Sequence, residues 1–414
     1  MNDRLAFADE EFDGQFMRTL QAAAVGAADL GEAFTTARAI GNRYRPERWH
    51  RRWLDRAESL RDIAERAHVA GHLVSAQQAY LRASEYYRQA YFFLRSDLDD
   101  QRLRDAYQAH AHTFAQAMEL LGHTGSPVVA EAVTIPYEAD NGVRVGVHAW
   151  MFRPGPETEG RRRPTIVMPC GYDSTAESGW GFAQGALARG YTVLSVEGPG
   201  QGASLVVDRL YFRPDYEVVL SQILDWLVEV PDVDTARIAV VGRSFAGYLA
   251  PRGVAGEPRV AALVCDPAQP DMGAKIPVGW RGRVAAPLMT ALTRISRERA
   301  EFFGSRMACH GLTAIADYFA ELRKFTLTDR IHEIACPTMI VESFGDPVGG
   351  HGRMLFDALT APGSVYVDPD PATGISGHCG GLGQMAWDAT VYDWLDETLA
   401  AGVRPAATTR DAHR

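Results

Sequence analysis

Apolar side chains recur at three-and-four spacing over residues 47–67, 72–96 and 98–121, the period of helices with one buried face. The stretch from Ala76 to Phe93 is the clearest of these, and it carries Tyr80, Tyr86, Tyr87, Tyr91, Phe92 and Phe93. Gly122, Gly125 and Pro127 then break the pattern. Residues 1–125 are therefore expected to form a helical domain of about four helices.

Beyond the break the period changes. Ala130–Pro136 and Val143–Phe152 alternate or run β-branched and aromatic, with Asn141-Gly142 between them as a hairpin turn. Short apolar runs suited to buried parallel strands follow at Thr165–Met168, Thr192–Val196, Ile238–Val241, Ala261–Cys265 and Thr338–Val341. Helical stretches such as Glu217–Val228 and Met385–Leu399 separate them. Strand and helix in alternation predict an α/β fold, a mostly parallel sheet with right-handed crossovers and helices on both faces. This second domain is expected over 126–402, with a helical insertion at about 272–332, and 403–414 is expected to be a flexible tail.

Composition narrows the function. Across 414 residues the formal net charge is −10 and basic residues are scattered, which argues against nucleic acid as a partner. No run of 18 apolar residues is present, so no membrane span is expected. The polar start Met1-Asn2-Asp3-Arg4 does not read as a signal peptide. Five widely spaced cysteines without Cys-x-x-Cys read as reduced thiols of a cytoplasmic protein. No His/Glu/Asp spacing points to a catalytic metal, and no cofactor is expected.

The sharpest local signal is Ile238–Tyr248, a buried strand running into Gly242-Arg243-Ser244-Phe245-Ala246-Gly247 and then a helix. A serine at the apex of such a turn needs small residues on either side, and Gly242, Ala246 and Gly247 meet that demand. A serine hydroxyl needs a base, and the base needs an orienting acid. Asp346 lies just past the Thr338–Val341 strand, and His378 lies in a Gly-rich loop before the last helix, so the chain order nucleophile, acid, histidine is satisfied. Asp266, after the strand ending at Cys265, is the fallback acid and a candidate to face the pocket; His351 is the rival base. The backbone N–H groups of Phe245 and Tyr172 are the expected oxyanion donors, because one follows the nucleophile and the other follows the Thr165–Met168 strand. Glu197-Gly198-Pro199-Gly200-Gln201-Gly202 lacks the ending of a nucleotide loop and reads as a tight turn beside the site. Tyr80 and Tyr87 are expected to reach the pocket above Ser244 and stack on an aromatic substrate.

With Tyr80–Arg88, Gly171–Thr175, Glu197–Gly202, Gly242–Arg252 and Gly377-His378-Cys379 in hand, the chain resembles one branch of the α/β-hydrolases. That branch contains 2,6-dihydroxypseudooxynicotine hydrolase and the fungal polyketide-shortening pigment hydrolases. Ala246 stands where that pattern usually has Gly, and Glu197 where it often has Asp. The resemblance implies an N-terminal helical cap over the hydrolase core, a Ser-Asp-His triad without metal, and a homodimer. It also implies cleavage of a C–C bond flanked by carbonyls, or of an ester or thioester, in a medium-sized aromatic or polyketide-like small molecule. Two alternatives stay open: an acyl-transfer cyclase or lactone-forming enzyme using the same triad, and a non-catalytic binding protein on this scaffold.

Overall fold

The computed structural model describes residues 4–139, 142–155, 161–274 and 276–401. Asn141 and the tail expected at 403–414 lie outside the described residues. The chain opens with five α-helices rather than about four: α1 (Glu10–Ala22), α2 (Leu30–Ile40), α3 (Pro46–Val69), α4 (Leu73–Tyr91) and α5 (Gln101–Glu119). α1 and α2 lie before residue 47, outside the three long apolar periods of the sequence; Gly14 leaves a gap in the α1 pattern, and Gly26 and Gly41 end short segments, so no long apolar period builds up there. Local chemistry marks them instead. Asp9 and Asp29 accept the Phe12 and Glu32 N–H groups and cap α1 and α2. Phe12, Phe16, Trp49, Trp53 and Phe93 form an aromatic core between these helices.

The sheet strands are β1 (Val129–Glu138), β2 (Arg144–Arg153), β3 (Arg163–Pro169), β4 (Thr192–Val196), β5 (Val233–Arg243), β6 (Val260–Asp266), β7 (Thr338–Val341) and β8 (Val365–Val367). Their order is β1-β2-β4-β3-β5-β6-β7-β8; β1 pairs β2 and β2 pairs β4 antiparallel, and the remaining pairs are parallel. Every strand expected from the sequence is present, and β8 is added; at three residues it is too short to carry a period. Side chains alternate between two cores. Ile166, Val193, Val241 and Val264 pack toward the helical region and the last helix, while Val167, Leu194, Val240 and Leu263 pack on the opposite face.

The crossovers supply α6 (Gly179–Leu187), α7 (Gly202–Val206), α8 (Glu217–Leu227) and α9 (Ala246–Val254). Between β6 and β7 the expected insertion is helical: α10 (Gly279–Ile295), α11 (Arg297–Cys309) and α12 (Ile315–Leu322). A short α13 (Gly352–Ala358) and a closing α14 (Gln384–Ala401) complete the chain. Among the described residues no helix is long and apolar enough to cross a membrane.

Candidate active site

β5 ends at Arg243 and α9 begins at Ala246, leaving Ser244 with a left-handed φ of 60°. Only a turn this tight points the hydroxyl out of the sheet, and its neighbours show the steric demand. A Cβ on Gly242 would stand 2.2 Å from the Ala246 carbonyl oxygen, and one on Gly247 would stand 1.9 Å from that of Pro267. Ser244 N–H donates to the Asp266 carbonyl (2.9 Å), and Gln269 Nε2–H donates to the Ser244 carbonyl (2.6 Å), pinning the apex from β6.

Ser244 Oγ–H donates to His378 Nε2 at 2.8 Å, and His378 Nδ1–H faces both Asp346 oxygens at 3.0 and 3.1 Å. Asp346 also accepts the Cys379 and Val348 N–H groups at 2.8 and 2.9 Å. Burial alone would lift its pKa, but these hydrogen bonds and the facing imidazole outweigh burial and hold the carboxyl below its ordinary value. For His378, burial disfavours the imidazolium, yet the adjoining Cys379 sulfur and the Asp346 carboxylate favour it, and the balance lies well above the ordinary value. The histidine loop is tied to the strand end that carries Asp346, because Gly377 N–H donates to the Phe344 carbonyl at 2.9 Å. Asp346, His378 and Cys379 are also the one group among the described residues with the spacing to hold a metal ion, their ligand atoms lying within 4.8 Å. Both histidine nitrogens there already have partners, Asp346 and Ser244.

Tyr172 and Phe245 lie together beside Ser244, ring centroids 4.1 Å apart. Gly171 permits the approach: a Cβ there would meet Ser244 Cβ at 3.2 Å. Glu197 and Gln201 build the loop beneath. Gln201 donates to the Cys170 carbonyl, and Glu197 accepts the Ala176 and Ala203 N–H groups at 3.0 and 2.6 Å. Asp173 forms an ion pair with Arg18 of α1 at 2.9 Å, joining the helical region to this loop.

A pocket of about 120 Å³ adjoins the loop, with Tyr172, Asp173, Phe92, Arg95, Phe302 and Arg306 in its wall. Tyr80 and Tyr87 reach neither this pocket nor the larger cavity of about 700 Å³. Both rings are buried among the helices: Tyr80 meets His68, and Tyr87 lies toward Arg61 of α3. The larger cavity sees instead Leu81, Ser84, Glu85 and Arg88, the neighbouring face of the same helix. Asp266 is likewise corrected as a substrate contact. It is fully buried, accepts from Ser343 Oγ–H and Trp387 Nε1–H, and so braces β6 against β7 and α14. His351 sits at the start of α13.

Among curated proteins, Hydrolase LUC6 of Fusarium sp is 32% identical over 95% of this chain and 97% of its own. 20-Hydroxy-prefusarin hydrolase FUS2 of Gibberella moniliformis is 32% identical over 95% of this chain and 98% of its own. A crystal structure of 2,6-dihydroxy-pseudo-oxynicotine hydrolase superposes with a TM-score of 0.72 at 21% identity, covering 94% of this chain and 98% of that one. The chain belongs to the α/β-hydrolase family. The profile of the X-Pro dipeptidyl-peptidase (S15 family) matches residues 141–276, the part of the hydrolase that contains β2 to β6 and Ser244.

Several residues that shape this hydrolase site escape a reading of the sequence. Arg243 donates to Gln384 Oε1 (3.0 Å) and to the Cys379 carbonyl, and lies over the rings of Trp387 and Phe182, both at 4.2 Å. It thus couples the serine turn to the histidine loop; its place next to Ser244 is the one signal that could have marked it. His310, at the end of α11, accepts from Tyr172 O–H at 2.5 Å. Burial lowers its pKa to about 3, which keeps the ring neutral and able to accept. No local pattern distinguishes His310 from other histidines; only the folded insertion brings it over the loop.

Proposed function

We propose that this hydrolase uses Ser244 as nucleophile, His378 as general base and Asp346 as its orienting acid. Its proposed substrate is a medium-sized aromatic or polyketide-like carbonyl compound. The observation that carries the reading is the unbroken hydrogen-bonded line from Ser244 Oγ through both His378 nitrogens to Asp346. His378 Nε2 takes the serine proton as Oγ attacks the carbonyl carbon, and Asp346 stabilises the imidazolium that results. The Tyr172 and Phe245 N–H groups receive the developing oxyanion. For a 1,3-diketone, collapse breaks the C–C bond, the electron pair leaves as an enolate, and His378 returns the proton to carbon. Water activated by His378 then hydrolyses the acyl-enzyme; an ester or thioester follows the same course with an alkoxide or thiolate leaving. Kinship at 32% identity to a hydrolase named for 20-hydroxy-prefusarin supports an oxygenated carbon-chain substrate over a peptide. The helical segment 1–125 serves as the cap in this reading, and the protein acts in the cytoplasm as a homodimer, a state that light scattering in solution checks.

The deciding experiment combines an activity-based label with kinetics. A fluorophosphonate probe should modify the wild-type protein at Ser244, and Ser244→Ala should abolish both labelling and turnover by several powers of ten with an unchanged melting temperature. Turnover by Ser244→Ala within about tenfold of wild type would overturn the serine mechanism. A panel of a 1,3-diketone, an aryl ester and a thioester, ranked by kcat/KM, then assigns the bond.

A further inference from the structure

The insertion helix α10 carries apolar side chains on both of its faces. On the inner face Ala286 is buried, and Met289 and Leu292 line a cleft shared with Glu298, Phe302 and Phe303 of α11. On the outer face Trp280, Val284, Leu288 and Ile295 are 66%, 53%, 54% and 82% exposed. At about 100° of rotation per residue these four fall within an arc of about 80°, one stripe down the helix. Trp280 is the one exposed tryptophan of the eight in the chain. Single exposed apolar residues are ordinary on a protein surface, whereas a contiguous stripe marks a contact face.

Charge decides what covers that stripe. Residues 272–297 contain five basic residues and no acidic one, in a chain whose net charge is −10. Arg281 and Arg294 are exposed and fall just beyond the two edges of the stripe, about 20° and about 40° outside it. The Arg281 guanidinium lies over the Trp280 ring at 5.6 Å, and neither arginine pairs with a carboxylate among the described residues. Arg323, just past α12, donates through Nη2 to the Pro277 carbonyl at 2.9 Å and adds an exposed cation beside the start of α10. Arg297 at the far end stands 3.5 Å from Glu47, a pair largely open to solvent. The nearby acid of α11, Glu298, lies on the inner face with Met289 and Leu292.

A two-fold contact with a second copy would set this acid-free helix against itself, and like charges oppose that. A nucleic acid would use the cations but leave the apolar stripe in water. An anionic lipid surface meets both demands, because the stripe enters the acyl boundary while the arginines reach the phosphates. The negative charge of the rest of the chain does not prevent the approach, since salt screens charges beyond about 8–10 Å.

We propose that α10 docks the hydrolase on the surface of an anionic bilayer, lying in the interface with the stripe from Trp280 to Ile295 immersed and no segment crossing. The docking depends neither on the serine mechanism nor on its substrate, since Ser244 forms no part of it.

Co-sedimentation of the full-length protein with lipid vesicles tests the docking. Vesicles of phosphatidylcholine with about one-third phosphatidylserine should bind the protein, and pure phosphatidylcholine should bind it about tenfold more weakly. Raising the salt from about 0.05 M to about 0.5 M should weaken binding to the anionic vesicles by a similar factor. Leu288→Glu combined with Ile295→Glu should abolish binding at an unchanged melting temperature, because both side chains stand in solvent. Arg281→Gln combined with Arg294→Gln should weaken it on the order of tenfold. Brominated phosphatidylcholine in the anionic vesicles should quench the tryptophan fluorescence of the wild-type protein. Trp280→Phe should bind nearly as well yet lose that quenching, which places α10 at the lipid. Equal binding to both vesicles, no binding to either, salt-independent binding, binding untouched by either double variant, or quenching that survives Trp280→Phe would each overturn the proposal. A dimer in light scattering that dissociates in the double glutamate variant, with no vesicle binding by the wild type, would assign the stripe to a second copy instead. Should the glutamate pair fail to fold, the lipid comparison and the Trp280→Phe quenching still decide it.

Discussion

Asp346 and Asp266 are both carboxylates at strand ends, and their partners separate them. Asp346 receives His378 Nδ1–H, while Asp266 receives Ser343 and Trp387, and burial raises its pKa to about 6. Asp346→Asn should therefore lower kcat by about 10⁴ with the fold intact, because the amide favours the wrong imidazole tautomer. Asp266→Asn should act chiefly on the melting temperature; a larger kinetic loss there than at Asp346 would reverse the assignment. The pH profile follows from His378, which must be neutral to accept a proton. Its pKa is raised above the ordinary value of about 6.5, so the neutral base is lost as pH falls through a point above that value. The acid limb of kcat/KM should accordingly have its midpoint above about 6.5, and a profile flat to pH 6 would contradict histidine as the base.

At the scale of elements, the α10–α12 insertion packs against the loop that carries Tyr172. It brings His310, just past α11, to the phenol of Tyr172, whose N–H is the second oxyanion donor of the proposed mechanism. In the proposed mechanism His310 is a positioning residue, acting through Tyr172. His310→Ala should lower kcat by about tenfold with KM little changed, and His310→Gln, which can still accept from the phenol, should recover much of the loss. Parallel falls in melting temperature and no change in kcat for both variants would reduce the contact to packing. The α4 helix shows the same dependence on partners. Tyr80, Tyr86 and Tyr87 pack toward α3, and the face offset by about one residue, Leu81, Ser84, Glu85 and Arg88, meets the large cavity.

At the scale of the whole molecule, one apolar core runs from the aromatic residues of α1 and α3 through α4 to one face of the sheet and Trp387 of α14. The helical region and the sheet therefore stabilise each other, and a ring in the middle of that core matters to folding before it matters to chemistry. Tyr87→Leu should lower the melting temperature by several degrees, as loss of buried aromatic packing does, while kcat/KM stays within about twofold. Weakened kcat/KM at full stability would return Tyr87 to the substrate pocket.

What the chain determines by itself is whatever consecutive residues can encode. The strand runs from Thr165 to Val341 carry their own burial on both faces, and each appears in the sheet. The turn at Ser244 is legible because its steric demand falls on residues two and three positions away. The order of Ser244, Asp346 and His378 is legible because each follows a strand or precedes a helix that the period reveals. Tertiary structure alone decides which face of a helix meets which neighbour. Tyr80 and Tyr87 differ from Leu81 and Arg88 by a rotation of about 100° about one axis, and only the position of α3 tells the two faces apart. The same holds for Arg243 and His310, whose partners lie 136 and 138 residues away along the chain. A contact over that distance is set by packing of the whole fold, and no local spacing records it.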